Sequence, residues 1–192
     1  MLGGARSGKS RYAQALASGY RHVTFLATAR PSDREMRDRI ATHQRERPAS
    51  WKTVEAPLDL HKTITSESVK ADLLLIDCLT LFVANTMSRE RRKASSARLV
   101  TRQLCQAIRS SKASVIVVSN EVGSGIVPAY RSGRIYRDLL GQMNQEIAKI
   151  ADKVVLMIAG IPLTVKDRAE QTGDLSDDSS PCHGTTHGDG SI

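Results

Sequence analysis

Residues Gly3 to Ser10 read GGARSGKS and match Gly-x-x-x-x-Gly-Lys-Ser, the pattern of a phosphate-binding loop. The glycines permit a tight turn whose backbone N–H groups face phosphate oxygens, and a helix behind the turn adds its positive dipole end. Lys9 would reach the β- and γ-phosphate oxygens, and the Ser10 hydroxyl would ligate Mg²⁺. The pattern predicts a site for Mg²⁺ and a nucleoside triphosphate, and the alternative is a plain glycine-rich surface turn. The expected nucleotide contacts are Gly3, Gly4, Ala5, Arg6, Ser7, Gly8, Lys9 and Ser10.

An acidic side chain follows a buried apolar run farther along the chain. Asp77 ends the segment ADLLLID, and a triphosphate site needs a second protein contribution to the metal, usually an acid at the end of a neighbouring strand. We therefore expect Asp77 to contact the metal or the nucleotide. The alternative is that Asp77 caps the next helix.

A histidine surrounded by arginines lies between residues 39 and 57, in the segment RIATHQRERPASWKTVEAP. His43 has Arg39, Arg45 and Arg47 as near neighbours in the sequence. Nearby cations disfavour protonation of an imidazole, which leaves a neutral and nucleophilic ring, and they would also gather phosphate oxygens. From residue types alone, a solvent-facing histidine on a basic helix remains the simpler interpretation.

Apolar, β-branched runs alternate with helical segments along most of the chain. Their hydrophobicity is continuous, which is typical of buried parallel strands. The predicted strands are 23–27, 73–77, 114–119 and 154–159, with a short edge strand at 163–166. The predicted helices are 10–17, 33–45, 58–66, 97–110 and 128–151, with a basic surface helix and loop around 87–102. This order predicts an α/β fold with a doubly wound, mostly parallel sheet of the P-loop NTPase type.

The phosphate loop should follow a buried strand, but only Met1 and Leu2 precede Gly3. We therefore expect a truncated first strand. A chain extended by about six apolar residues should be more stable or more active.

The 192 residues carry a net charge of +8 that is unevenly distributed. From Asp167 onward there is one arginine against six acids, which leaves +13 on residues 1–166. We predict one domain over 1–166 and a disordered, polar, acidic tail over 167–192. The basic charge suits triphosphates and phosphorylated substrates, and without a nucleic-acid-binding module we expect no nucleic acid partner.

Cys78, Cys105 and Cys182 show no zinc-binding spacing, so reduced thiols and a cytoplasmic protein are expected. His183 and His187 beside Cys182 match no standard metal site. No apolar stretch reaches the length of a membrane span, and no secretory signal is visible.

With these motifs, the sequence resembles the bifunctional adenosylcobinamide kinase/adenosylcobinamide-phosphate guanylyltransferase family of cobalamin biosynthesis. The resemblance covers residues 3–166 in order. It is carried by GGARSGKSRYAQAL, LATA, RIATHQRERPASWKTVEAPLDL, LLLIDCLTLFVAN, VVSNEVGSGIVPAYRSGRIYRDLLGQMNQEIA and VVLMIAGIPLTVK. The segment beginning at Asn120 and the His-x-x-x-Arg-Pro segment before Trp51 are far more specific than the phosphate loop.

The resemblance implies roles for individual residues. His43 would be the histidine that becomes covalently guanylylated, and Lys9 would serve phosphoryl transfer. Ser10 and Asp77 would hold Mg²⁺. The implied nucleotide contacts beyond the loop are Ala27, Thr28, Ala29, Gln44, Arg45, Glu46, Arg47, Glu55 and Asp77.

The resemblance also implies chemistry and assembly. ATP or GTP would phosphorylate adenosylcobinamide, and GMP from GTP would then pass through the histidine to adenosylcobinamide phosphate, giving adenosylcobinamide-GDP. A homo-oligomer, commonly a trimer, would form through the NEVGSGIVP loop and the last long helix. A generic P-loop ATPase or regulatory nucleotide-binding protein acting on a macromolecule is the alternative of a different class.

Overall fold

The computed structural model describes residues 1–45, 47–89 and 94–171, with the side chains of residues 39, 89, 94–97, 170 and 171 left out. The strands are β1 (Leu2–Gly3), β2 (Val23–Ala27), β3 (Lys52–Glu55), β4 (Leu73–Asp77), β5 (Ser114–Val118), β6 (Lys153–Ile158) and β7 (Ile161–Asp167). The helices are α1 (Lys9–Ala17), α2 (Arg34–Arg45), α3 (Leu60–Glu67), α4 (Leu79–Arg89), α5 (Ala94–Arg109), α6 (Arg131–Ile150) and α7 (Arg168–Gln171).

Four strands form a fully parallel sheet in the order β3-β2-β4-β5. Ala27 at the end of β2 pairs with Glu55 on one side and with Asp77 on the other. Asp77 in turn pairs with Val118 of β5. Because parallel strands run in one direction, this register brings the carboxyl ends of all four strands to one edge of the sheet.

A second group of strands has the order β1-β6-β7, with β1 parallel and β7 antiparallel to β6. The two groups meet through backbone hydrogen bonds. The Ser119 N–H donates to the Met1 carbonyl at 2.9 Å, and the Glu121 N–H donates to the Gly3 carbonyl at 3.0 Å. β1 therefore lies between the end of β5 and β6, and it delivers the chain to the phosphate loop at the carboxyl edge.

Helices cover both faces of the four-stranded sheet. Alternate residues of β4 pack into the hydrophobic core on one face or on the other. Leu74 and Ile76 join a core with residues of α3, α4, α5 and α6, whereas Leu73 and Leu75 join a core with Ala13 of α1. These four β4 residues are at most 1% exposed. Burying each of them contributes about 1.5–3 kcal/mol, so β4 is apolar on both faces and reads as a continuous run.

The doubly wound, mostly parallel α/β sheet predicted from the sequence is confirmed. The sequence analysis missed β3, whose four residues KTVE are mainly polar because β3 is an exposed edge strand. It also missed the start of α4 at Leu79, since the apolar residues of α4 continue the buried run of β4. α6 begins at Arg131 rather than at Pro128, because Tyr130 is extended and forms the N-cap.

The segment expected to be a tail begins inside ordered structure. Asp167 ends β7, and the Lys153 ammonium lies 2.7 Å from its carboxylate. Residues 168–171 form the short helix α7, and the remainder of the expected tail, 172–192, lies outside the described residues. Among the described helices, none has the length and apolar character needed to cross a membrane.

Candidate functional site

A cleft of about 910 Å³ opens at the carboxyl edge of the parallel sheet. Its walls are the phosphate loop and α1, the residues after β2, the last turns of α2, and the ends of β3, β4 and β5. This is the position at which open α/β sheets bind ligands. The predicted residues that line it are Ala5, Arg6, Ser7, Gly8, Lys9, Ser10, Ala27, Ala29, His43, Gln44, Arg47, Glu55 and Asp77.

Two glycines of the phosphate loop are required by its geometry. Gly3 has φ +149°, and a Cβ there would lie 2.5 Å from the Met157 carbonyl oxygen of β6. Gly8 has φ +91° and forms the N-cap of α1. A Cβ at Gly8 would lie 3.4 Å from the Cα of Gly160, at the β6–β7 turn. The Gly160 N–H also donates to the Ser7 carbonyl at 3.1 Å. The β6–β7 turn therefore supports the loop from behind.

Lys9 lies across the loop that precedes it. Its ammonium donates to the Gly4 carbonyl and, at 3.3 Å, to the Ser7 hydroxyl. The side chain is only 7% exposed, and this burial lowers its pKa, while Cys78 and Asp77 oppose the shift. The cation is thus held over the turn where phosphate oxygens would lie.

The Asp77 carboxylate is the point on which the parts of the cleft converge. Burial raises the pKa of Asp77, and a hydrogen bond from Ser10 and the charges of His43, Arg47 and Lys9 oppose that rise. These partners come from the loop and α1 on one side and from the end of α2 on the other. The predicted members of the site are therefore close enough to Asp77 to interact with it.

α2 positions His43 by helical spacing. Asp33 precedes the helix and accepts a hydrogen bond from the Met36 N–H at 2.8 Å, which lowers the pKa of Asp33. From that capped end, one face of the helix turns toward the cleft and places His43 in its last turn. The α2 residues on this wall are Met36, Arg37, Ile40, Ala41, His43 and Gln44.

Arg47 follows α2, and its side chain is held by an aromatic ring and a hydroxyl group. Its guanidinium carbon lies 3.5 Å from the centroid of the Phe25 ring, and Nη1 donates to the Thr53 hydroxyl at 3.3 Å. Burial lowers the pKa of Arg47, and the charge of Asp77 opposes this. Nε is buried without a hydrogen-bond partner among the described residues, so it is available to an anion in the cleft.

Thr28 stands apart from the other predicted contacts because its side chain is fully buried. Its hydroxyl donates to the Cys78 carbonyl at 2.7 Å and accepts from the Cys78 N–H at 2.8 Å. Asn85 then donates to the Thr28 carbonyl at 2.8 Å and to the Pro57 carbonyl at 3.2 Å. Thr28 thus ties the residue after Asp77 to the end of β2.

Several other predicted contacts do not line the cleft or lie outside the described residues. Arg45 turns back on its own helix, where it donates to the Ala41 carbonyl and the Thr42 hydroxyl. Gly3 and Gly4 are not among the residues that line the cleft. Glu46 lies outside the described residues. Roles for these residues remain predictions.

The cleft also contains residues that the sequence analysis did not select. Asn120 lines it directly after β5, and its N–H donates to the Thr80 hydroxyl at 3.1 Å. Arg37 adds a further cation from α2, and Phe25 supplies the ring below Arg47. The available signals were the position of Asn120 just after a strand and the seven-residue spacing of Arg37 from the predicted contact Gln44, which puts both on one face of a helix.

The donor set fits Mg²⁺ bound together with a triphosphate. The Ser10 hydroxyl interacts with the Asp77 carboxylate and lowers its pKa, so both oxygens face one position. No group of three or more His, Cys, Asp or Glu side chains suited to a metal exists within the described residues. A cation here would therefore take its other ligands from phosphate and water, as Mg²⁺ usually does.

Comparison with known proteins identifies the family of this chain. A family model described as cobinamide kinase / cobinamide phosphate guanyltransferase matches residues 1–165. That range includes every described residue of the cleft.

Three curated bacterial proteins are also similar over most of their length. The bifunctional adenosylcobalamin biosynthesis protein CobP of Pseudomonas aeruginosa is 41% identical over 169 residues, which cover 86% of this chain and 95% of that protein. The bifunctional adenosylcobalamin biosynthesis protein CobU of Salmonella typhimurium is 38% identical over 177 residues, and that of Escherichia coli is 36% identical over 179 residues. Each alignment covers 86% of this chain and 98% of the relative.

The Thr28 contacts lead to a stability prediction. Thr28→Val keeps the shape of the side chain but leaves the Cys78 N–H without its partner and the Cys78 carbonyl with only the Phe82 N–H, which should lower the free energy of unfolding by about 2 kcal/mol. Thr28→Ser retains the hydroxyl and should lose less than about 1 kcal/mol. Urea denaturation measures both values. Equal losses in the two variants would show that the hydroxyl does not hold Cys78.

Proposed function

Because the chain belongs to the cobinamide kinase / cobinamide phosphate guanyltransferase family, we propose that the cleft at the carboxyl edge of the sheet performs both reactions. The observation that carries this proposal is the convergence of Lys9, Ser10 and His43 on Asp77. A phosphate loop alone would serve a kinase. A histidine facing the same carboxylate adds a nucleophile beside the bound triphosphate.

In the guanylyltransferase reaction, an imidazole nitrogen of His43 attacks the α-phosphorus of GTP. An N–P bond forms, the bond to the pyrophosphate oxygen breaks, and His43 carries GMP as a phosphoramidate. A phosphate oxygen of adenosylcobinamide phosphate then attacks the same phosphorus and displaces the imidazole, which yields adenosylcobinamide-GDP. The covalent intermediate divides one difficult displacement between two anions into two easier steps.

In the kinase reaction, the γ-phosphoryl group of ATP or GTP passes to the aminopropanol hydroxyl of adenosylcobinamide. The chain contributes chiefly position and charge, because such a transfer needs little covalent chemistry from the protein. Lys9 holds the β/γ oxygens, and Ser10 and Asp77 would hold Mg²⁺. When bound, Mg²⁺ neutralises charge on the triphosphate.

The remaining cations of the cleft suit the phosphate groups of both substrates. Arg47 presents a buried Nε without a partner among the described residues, and Arg37 lies on the same wall. We assign the basic charge of the folded region to the triphosphate and the phosphorylated corrinoid rather than to nucleic acid. We also propose a cytoplasmic location, which the free thiols of Cys78 and Cys105 support.

The guanylylated histidine is tested with GTP labelled at the α-phosphorus. The wild-type protein should acquire label that is stable to alkali and labile to acid, and His43→Ala should abolish it because His43 is the histidine that lines the cleft among the described residues. His61→Ala, on α3 away from the cleft lining, is the matched control and should keep the label. Label that persists in His43→Ala would assign the nucleophile to another residue.

The kinase role of the loop is tested separately with Lys9→Ala. Removing this donor should lower kcat for phosphorylation of adenosylcobinamide by about 10²–10³-fold, because the charge that develops on the transferred phosphoryl group loses its cation. Product formation from labelled ATP or GTP measures the rate. Lys112→Ala on the exposed surface should leave it unchanged. An unimpaired Lys9→Ala variant would remove the loop from the kinase mechanism.

We further propose that the protein forms a homo-oligomer, a trimer by its family resemblance. Exposed apolar side chains support an interface. In the loop before α6, Ile126 is 97% exposed and Tyr130 is 81% exposed, and Ile161, Leu163 and Val165 of β7 are also exposed. Patches of this kind on a folded chain commonly mark protein contacts.

Light scattering after gel filtration tests the assembly. The wild-type protein should elute with three times the mass of one chain. Ile126→Asp should shift it toward the monomer, because a carboxylate buried in an apolar contact loses its hydration. Ser124→Asp, in the same loop, controls for added charge outside the apolar patch. A wild-type monomer at micromolar concentration would contradict the trimer.

A further inference from the structure

Asn120 is the first residue of the segment NEVGSGIVP, and neither of the proposed reactions uses it. It follows β5 by two residues, its side chain is half-buried, and it lines the cleft. A polar side chain at the carboxyl end of a central parallel strand lies where open α/β sheets bind their ligands. Asn120 is therefore placed to contact a substrate.

Strand pairing puts Asn120 between the phosphate loop and Asp77. On one side of it, the Glu121 N–H donates to the Gly3 carbonyl at 3.0 Å, which joins this segment to the strand leading into the loop. On the other side, Val118 pairs with Asp77 of β4. Because neighbouring strands lie about 4.8 Å apart, Asn120 leaves the sheet about one strand away from each of them.

The main chain of Asn120 is fixed by side chains from two helices. Its N–H donates to the Thr80 hydroxyl of α4 at 3.1 Å, and its carbonyl accepts from the Asn144 amide of α6 at 3.1 Å. Asn144 is 8% exposed, and its amide oxygen accepts from the Ser119 hydroxyl at 2.7 Å. Burial of polar groups is tolerated when each has a hydrogen-bond partner. Ser119 and Asn144 therefore form a buried polar pair that holds residue 120 in one position.

The side-chain amide of Asn120 is left for a ligand. In the part of the chain that the structure describes, Asn120 makes its hydrogen bonds through the main chain. The side-chain amide has two N–H donors and one acceptor oxygen. A neutral donor suits this place, because it can bind phosphate oxygens without adding a charge beside the Asp77 carboxylate.

Local backbone structure does not require an asparagine at position 120. Asparagine is favoured where the backbone is left-handed, but the positive φ angles of described non-glycine residues are those of Arg6, Asp59 and Ala159. The main-chain hydrogen bonds to Thr80 and from the Asn144 amide could be made by any residue that has a backbone N–H. The side chain is thus the part of Asn120 that still needs a role.

The order of groups along the edge of the sheet gives the direction of a bound triphosphate. His43 lies in the last turn of α2, and Arg47 behind it packs on Phe25 of β2 and donates to Thr53 of β3. That wall therefore stands on the β2 and β3 side of Asp77, whereas the phosphate loop lies on the other side, beyond β5. A GTP whose α-phosphorus meets His43 and whose other phosphates enter the loop points its γ-phosphate toward β5.

We propose that the Asn120 side chain donates a hydrogen bond to the γ-phosphate of the nucleoside triphosphate in the loop. A diphosphate lacks this contact, so Asn120 favours triphosphates. The γ-phosphate is transferred in the kinase reaction and leaves within pyrophosphate in the guanylyltransferase reaction, so one amide serves both. This inference rests on the proposed function for the direction in which the nucleotide lies.

Equilibrium binding of two nucleotides tests the proposal. The probes are the α,β-methylene analogues of GTP and GDP with Mg²⁺, which His43 cannot cleave and which differ only in the γ-phosphate. Asn120→Ala should raise Kd about tenfold for the triphosphate analogue and less than about twofold for the diphosphate analogue, because one hydrogen bond to a charged group is lost. Gln106→Ala removes an amide from the exposed surface of α5 and should change neither value.

Asn120→Asp supplies a second measurement. Its carboxylate has nearly the shape of the amide but repels the γ-phosphate, so it should weaken the triphosphate analogue more than Asn120→Ala does. An unchanged Kd for the triphosphate analogue in either variant would overturn the proposal. Equal weakening of both analogues by Asn120→Ala would also overturn it, since the side chain would then support the shape of the cleft.

The labelling experiment with α-labelled GTP keeps this inference separate from the proposed function. Wild-type protein that acquires no label would reject the histidine intermediate. The ratio of the two dissociation constants would still decide whether Asn120 contacts the γ-phosphate, because neither analogue reacts. A variant Asn120→Ala that takes up label at saturating GTP would show that His43 and the fold of the cleft are intact.

Discussion

The nucleotide site depends on how the Asp77 carboxylate is kept at the bottom of the cleft. Removing a carboxylate from water costs several kcal/mol unless charges and hydrogen bonds replace its hydration. Here the replacements are the Ser10 hydroxyl, the His43 imidazole and the cations of Arg47 and Lys9. Because these groups come from separate parts of the chain, the burial of one carboxylate draws the loop and the end of α2 to the same place.

Strand β4 can bury the charge of Asp77 because its four preceding residues, Leu73 to Ile76, are all apolar. β4 lies between β2 and β5 and packs against helices on both faces, so its residues up to Ile76 have almost no contact with water. The first position beyond that core is the first at which a polar group meets the cleft. Thr28 then fixes the backbone of Cys78 through two hydrogen bonds. The position of the Asp77 carboxylate is therefore set by the adjoining main chain as well as by its charged partners.

The phosphate loop has a different kind of support. Its preceding strand, β1, has two residues, and the turn between β6 and β7 supplies contacts through Met157 and Gly160. The glycines at positions 3 and 8 therefore serve packing as well as the approach of phosphate.

Much of the site could be predicted from sequence because its strongest signals are local. The loop pattern selected Lys9 and Ser10, and the end of a continuous apolar run selected Asp77, the residue at which strand β4 ends. The weaker predictions concerned residues whose role depends on side-chain direction. Thr28 and Arg45 lie in segments that reach the cleft, yet one side chain turns into the sheet and the other onto its own helix.

The sequence by itself determined the buried strands, most of the helices, the phosphate loop and the family, because hydrophobic periodicity and short motifs lie in consecutive residues. Tertiary structure alone decided that His43 faces Asp77, that Arg47 lies on Phe25 and that Asn120 enters the cleft. Each of these contacts joins residues from different elements. Their meeting depends on strand order and helix packing, which no local stretch of sequence encodes.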